Sequence, residues 1–512
     1  MTLRRPSRGA VFGASVLGAA AVVVWWRGTR STIAETGAPR RHVRGGRAAR
    51  TAELVRLGAS AGTGLAKLRA ESALASGERK AELQARYELR TAEQVAEVLG
   101  NMKGAVMKLG QMASYLDGGL PEPVREALAR MQQDAPPMSY ELASGVVRSE
   151  LGGDPDEVFA HFEREPLAAA SIGQVHRART HDGVDVAVKV QYPGVDEAIR
   201  ADLGNTDLLF GALGVLFSGM DPKPIVEELR TRLVEELDYR IEAAHQRRFA
   251  EYYDDHPTIH VPRVVDELST TRVLTTELAT GARWSEVLQW SQSERDLAAE
   301  TLYRFAFGGI YRLGIFNGDP HPGNYLFEPG GRITFLDYGL CKVFSPEEVR
   351  RFECMIKAMV FDADAAEVRR VFEEVGVVSK GSYLTDEQIH DYFAHFFEQV
   401  MADGSTEITP EYASTSLRRY FDLGGPYGEV MKSVTLPSFM VIVQRINLGL
   451  FSLFGELHAV GNWRRLANEI WPFVAGPPST PMGERIRAWE IRRGHREEDP
   501  PSAPVTNAAA RP

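Results

Sequence analysis

The chain has 512 residues, of which 44% are hydrophobic and 25% charged, with a formal net charge of −10. That balance supplies a large core, and the acidic surplus excludes nucleic acid as the main partner, because phosphate backbones are held by clustered lysines and arginines. Two cysteines, Cys341 and Cys354, exclude a disulfide framework and zinc-type Cys/His spacing and point to a reducing compartment, with Cys341 read as a small core thiol.

Arg4, Arg5 and Arg8 precede an uncharged run from Ala10 to Trp26, about 17 residues and so at the short end of what crosses a bilayer as a helix. Trp25 and Trp26 stand where an interfacial anchor belongs. A cleaved signal peptide or an unstructured apolar start are the alternatives, but no small-residue cleavage site follows. Residues 1–32 are therefore expected to form a single transmembrane anchor and residues 33–50 a basic linker. The arginines from Arg27 to Arg50 outnumber those before the run. By the positive-inside rule the remaining chain is then cytoplasmic, at the inner or plasma membrane.

No repeat recurs, which sets solenoids and propellers aside. Residues 51–165 read as a helical extension, with helices over Thr51–Leu116 and Pro121–Tyr140. At Ala168 the texture changes to strand, and in Val184–Val190 the valines at 184, 186, 188 and 190 share one face. Helical patterns return after Pro193: a short apolar helix over Leu208–Met220, then a long charged one over Glu227–Tyr252. Strands are expected at Arg263–Leu268 and Arg272–Leu278 around a Ser269-Thr270-Thr271 turn. Ser285–Phe473 reads mainly helical, with a loop and short strand pair near Gly314–Leu340. Residues 476–512, rich in proline and charge, read as a disordered tail. The expected fold is α+β and bilobal: a small lobe at 166–280 with inserted helices, and a mostly helical lobe at 281–475, behind the α-helical extension. This is the element order of a protein kinase.

The chemistry concentrates in Gly318-Asp319-Pro320-His321-Pro322-Gly323-Asn324 and in Asp337-Tyr338-Gly339. Phosphoryl transfer needs Mg2+ bridging nucleotide phosphates, held by a few hard oxygen ligands. Asp319 and Asn324 match the kinase catalytic-loop spacing, and Asp337 opens the second metal motif with Tyr in place of Phe. Lys189, alone among valines, is the candidate phosphate contact, since a charge in such a strand needs an anion. Its carboxylate partner is expected among Glu236, Asp238 and Glu242 on the long helix. Taken alone, the lysine would read as an edge lysine and the carboxylates as a solvated helix face, while an ordinary turn is the lesser alternative for the Asp-Asn loop; the order and separation of the motifs decide. The nucleotide loop departs from the kinase pattern. Ala168-Ala169-Ala170-Ser171 stands where glycines would lay their amides over phosphates, and alanine does not readily take the positive backbone angles this requires.

With Lys108-Leu109-Gly110-Gln111, Asp134-Ala135-Pro136-Pro137 and Glu236-Leu237-Asp238-Tyr239-Arg240-Ile241-Glu242, these segments resemble the UbiB/AarF/ADCK group of atypical kinases from about Asn101 to Asp362. The resemblance implies a pair between Lys189 and Glu242, magnesium at Asn324 and Asp337, and Asp319 in the place of the catalytic base. It implies that Lys108 and Gln111 fold over the active site, with Glu236 and Asp238 completing the polar network, and that Glu277 lies near the adenine. It also implies ATP or ADP as ligand and ATPase or small-molecule kinase activity. A membrane lipid or isoprenoid quinone precursor would be the substrate partner, with quinone-biosynthesis enzymes as further partners. Relatives with C-terminal membrane helices differ from this chain, whose apolar stretch near Met440–Phe454 is broken by Gln444, Arg445 and Asn447. Two rivals stand beside this reading: a small-molecule kinase of the aminoglycoside or choline type, and a nucleotide-sensing scaffold without turnover.

Overall fold

The computed structural model describes residues 138–496, apart from 171, 198, 200–233, 422–426, 429, 431–433 and 435–437. The expected anchor at 10–26, Lys108, Gln111, Ser171, the helix at 208–220 and residues 497–512 lie outside the described residues. Among those described, no helix is long and apolar enough to cross a membrane.

The small lobe opens with α1 (Tyr140–Leu151) and continues through β1 (His161–Phe162), β2 (Ala168–Ala170), β3 (Gly173–Arg179) and β4 (Asp185–Gln191) to α2 (Tyr239–Tyr252). A two-residue β5 (Ile259–His260) and then β6 (Val273–Glu277) follow. One antiparallel sheet runs in the order β1-β3-β4-β6, with β2 paired to β3. Alternation along β4 sends Val186, Val188 and Val190, all fully buried, onto Ala143, Val146 and Val147 of α1 together with Phe159 and Phe162. Val184 falls before the strand and is exposed. The opposite face, carrying Lys189, is the one met by α2.

Three expectations are corrected here. Arg263–Leu268 is not a strand: Val264 makes a single bridge to Thr276, and Asp266–Leu268 is a 3-10 turn. The Ser269 hydroxyl donates to Val265 O and accepts from Thr275 N, which folds the chain back before a ladder can extend. The helix expected over Glu227–Tyr252 is interrupted. Asp238 is extended, and its side chain accepts from Arg240 N, so α2 starts afresh at Tyr239. The disordered tail expected from 476 is a helix over Pro481–Arg492 with Trp489 buried. Met482, Ile486 and Trp489 recur at helical spacing there, and that apolar stripe outweighs the polar composition.

The large lobe is built on α3 (Gln292–Leu313), buried along most of its length from Ala298 to Ile310. It leads through β7 (Ile315–Asn317), β8 (Tyr325–Glu328), β9 (Arg332–Phe335) and β10 (Cys341–Val343) to α4 (Pro346–Ile356), α5 (Ala365–Val375) and α6 (Asp386–Ala394). The last helices are α7 (Pro410–Phe421), α8 (Ser438–Leu457), α9 (Trp463–Ile470) and α10 (Pro481–Arg492). β10 pairs with β7, and β9 pairs antiparallel with β8 and parallel with β5. These short pairings bring the loop before β8 and the loop after β9 to one edge, opposite Lys189. The fold is kinase-like, α+β and bilobal.

Candidate active site

Lys189 leaves β4 on the face away from the valines. Its Nζ lies 2.8 and 2.9 Å from the two Glu242 oxygens and 3.5 Å from Asp337 Oδ2. The three side chains are 17%, 6% and 23% exposed, so the cluster is walled in but reachable from one side. Desolvation works against charge on Lys189, but the carboxylates of Asp337 and Glu242 outweigh it and hold the ammonium well above its ordinary pKa. Glu242 reaches the lysine because Asp238 starts α2 in register to place it one turn in.

The remaining groups form one hydrogen-bonded unit. Asn324 Nδ2 donates to Asp319 O at 3.2 Å and to Asp319 Oδ2 at 3.1 Å. Asn324 O accepts from Leu336 N at 2.9 Å, next to Asp337. Asn317 Oδ1 accepts from Asp319 N, and its Nδ2 donates to Asp337 O at 2.7 Å. His321 Nδ1 accepts from Gly323 N and turns the proline-stiffened loop. Asp337 Oδ1 accepts from Gly339 N at 2.9 Å. A Cβ at Gly339 would lie 3.3 Å from that oxygen and 3.6 Å from Glu242 Oε2, so a small residue belongs there. The Tyr338 hydroxyl, fully buried, donates to Phe335 O at 3.2 Å, which satisfies the group that a phenylalanine would lack. His245, one turn beyond Glu242, bonds Tyr338 O through Nδ1, so α2 grips both lysine and Asp-Tyr-Gly.

The nucleotide-loop and accessory residues are placed less uniformly. Ala168 and Ala169 are exposed on β2, hydrogen-bonded back to β3. Glu277 ends β6 opposite Val186, three pairs away from Leu274, which faces Lys189. Its Oε2 accepts from Arg263 N. Glu236 is buried just before α2 begins. Asp238 is not brought into that cluster: it caps α2 and pairs with Arg240 at 2.6 Å. The Arg240 bonds hold its carboxyl below the usual range.

Sequence reasoning missed Asn317, Tyr239 and Gly449. Asn317 had a signal, standing two residues before Asp319. Gly449 had none: on α8, its missing Cβ would fall 2.3 Å from Pro320 Cγ, so glycine lets the helix press against the Asp319 loop. Among the described residues no group of three or more His, Cys, Asp or Glu side chains is placed to hold a metal. Asn324 and Asp337 instead offer an amide oxygen and a carboxylate. This hard, incomplete set fits Mg2+, which takes one or two protein oxygens and completes its shell from phosphates and water.

Residues 130–372 match the family described as ABC1 atypical kinase-like domain. Atypical kinase coq-8, mitochondrial, of Caenorhabditis elegans is 32% identical over 62% of this chain and 42% of its own length. Atypical kinase COQ8B, mitochondrial, of Rattus norvegicus is 36% identical over 52% of this chain and 51% of its own. The chain thus spans about half the length of these curated relatives. A solved structure described as the complex of Rv3197 with erythromycin, from Mycobacterium tuberculosis, superposes with a TM-score of 0.56 at 32% identity. The match covers 78% of this chain and 100% of that one. With the lysine–glutamate pair and the Asp-x-x-x-x-Asn and Asp-Tyr-Gly segments assembled on a kinase-like frame, the chain belongs to the ABC1 family of atypical kinases, the UbiB/AarF/ADCK group.

Proposed function

We propose that the protein binds a magnesium–adenine nucleotide and hydrolyses or transfers its terminal phosphate, in the service of isoprenoid quinone or membrane lipid metabolism. The observation that carries this reading is the position of Lys189 between Glu242 and Asp337, with Asp319 and Asn324 tied to the same edge. Lys189, held protonated, would bind the α/β-phosphates while Glu242 fixes its direction. Asn324 and Asp337 would hold the magnesium, which neutralises charge developing on the transferred group. Asp319, adjoining Asn324, would orient the acceptor hydroxyl or water and take its proton. Glu277 would lie near the adenine, and Lys108, Gln111 and Glu236 would restrict access to the site.

Relatives named as mitochondrial kinases, and the apolar run at 10–26, favour a site at a membrane surface with a lipid or quinone precursor as partner. The test is Mg2+-dependent ATP hydrolysis by purified protein, with and without anionic vesicles, beside Asp337→Asn. Hydrolysis is expected to vanish in the variant while its melting temperature stays close to that of the wild type. Equal turnover in both proteins would remove Asp337 from the chemistry. Nucleotide binding without any turnover would leave a sensing scaffold. Lipid extracts from cells with and without the gene, compared for a lost quinone or accumulated precursor, test the pathway.

A further inference from the structure

Tyr239 opens α2 three residues before Glu242 and is 2% exposed, packed with Ile172, Leu237, Ala243 and Leu274. Among the described residues its hydroxyl has no hydrogen-bond partner. A buried phenol ordinarily finds one, so an exception needs a physical reason. The ring centre lies 5.0 Å from Lys189 Nζ. The hydroxyl lies 3.0 Å from the point that a Cβ on Gly173 would occupy.

The strand register locates that hydroxyl. Gly173 pairs with Gln191, and Val175 with Lys189, across antiparallel strands. Directly opposed residues share a face, and so do alternate residues along a strand, so these four positions lie on the lysine side of the sheet. The oxygen therefore lies against Gly173, on the same side of the sheet as Lys189. Gly173 keeps that space clear, because a methyl there would press on the hydroxyl and fall 2.2 Å from Val190 O. Burial keeps the phenol protonated, so the group is a hydrogen-bond donor at any working pH. The β2–β3 hairpin carries alanines where a conventional phosphate loop uses glycines, so its backbone does not readily take the positive angles that turn amides onto phosphates.

We propose that Tyr239 is a phosphate-contacting residue whose hydroxyl donates to a non-bridging oxygen of the nucleotide held by Lys189. The assignment rests on the nucleotide reading above and adds a donor from α2 in place of loop amides. It is tested with the full chain and Tyr239→Phe, titrated with Mg-ATP, Mg-ADP and adenosine and melted without ligand. Loss of one hydrogen bond to a charged acceptor is expected to weaken Mg-ATP and Mg-ADP about tenfold. Adenosine should bind both proteins alike, and the ligand-free variant should melt at or above the wild-type temperature, since it loses only an unpartnered polar atom. Equal Mg-ATP affinity in the two proteins overturns the assignment and leaves the nucleotide reading standing. A matching loss for adenosine, or a lower ligand-free melting temperature, overturns it in favour of a packing role. A wild type that binds no Mg-ATP overturns both, so the two failures are distinguishable.

Discussion

Lys189 between Glu242 and Asp337, and Arg304 between Glu300 and Glu469, are both single cations facing two carboxylates behind largely apolar walls. Around Arg304 the ion pairs are tight, although the guanidinium and Glu469 also line a small cavity of about 50 Å³ with His256, Gly483 and Trp489. The guanidinium lies 2.8 Å from Glu300 and 2.9 Å from Glu469. Thr480 donates to Glu300 and Ser479 N to Glu469, and a Cβ at Gly483 would be 2.5 Å from Glu469. Desolvation opposes the charge on Arg304, and the two glutamates overcome it, as they do for the lysine. The lysine cluster is looser: Asp337 stands at 3.5 Å, two of its three members are partly exposed, and the neighbouring Tyr239 hydroxyl has no partner among the described residues. Buried charge therefore does not by itself mark a site for chemistry. A polar group left over once the ion pair is made is the better mark, and beside the lysine cluster the Tyr239 hydroxyl is such a group among the described residues.

The largest expected effect tests the closed cluster. Arg304→Met strands two buried glutamates and should remove about 3–5 kcal/mol of stability in urea unfolding. The folded fraction should keep its nucleotide affinity. A variant as stable as the wild type would break the contrast. Lys189→Met should reverse the pattern, with turnover falling about a hundredfold or more. Its stability loss should be smaller than that of Arg304→Met, because Asp337 can be solvated from the open side. Gly449→Val sharpens the point from outside both clusters. A side chain pushed against Pro320 overpacks that contact by about 1–3 kcal/mol, and the displaced Asp319 loop should lower kcat about tenfold at unchanged Mg-ATP affinity.

How much of this was legible in the sequence follows the same division. The valine alternation fixed which way Lys189 points, because a strand has only two faces. The two aspartate-bearing segments were readable because proline and glycine constrain their loops. Their union with Lys189 was readable only through the kinase motif order and the family resemblance, which supply the fold that spacing alone cannot. Asn317 bridges to a carbonyl twenty residues on, and the Arg304 cluster joins α3, α9 and α10. Contacts of that kind leave no periodic trace in either partner. The last helix was hidden by composition, since proline and charge describe its outer face while Met482 and Trp489 describe its inner one.

His256 separates the two clusters by pH. Its Nδ1 accepts from Thr258 N at 3.2 Å and Ile259 N at 2.9 Å, and its ring stands edge-on to Trp489, beside Arg304 in the closed lobe. Burial, reinforced by the Arg304 charge, lowers its pKa to about 3. The folded state binds this proton more weakly than the unfolded chain. The stability it contributes is therefore complete above pH 6.5 and is lost as pH falls toward 3, by up to about 1.4 kcal/mol per unit. His256→Asn keeps an acceptor for the two amides but cannot titrate, so its unfolding free energy should fall less steeply between pH 6.5 and 4.5. Lys189 behaves oppositely: its pKa is raised, so its contribution is complete below 10.5 and lost as pH rises through the folded value. Acid should loosen the closed lobe first and alkali the open cluster. An acid slope unchanged by His256→Asn would place the proton-sensitive step elsewhere.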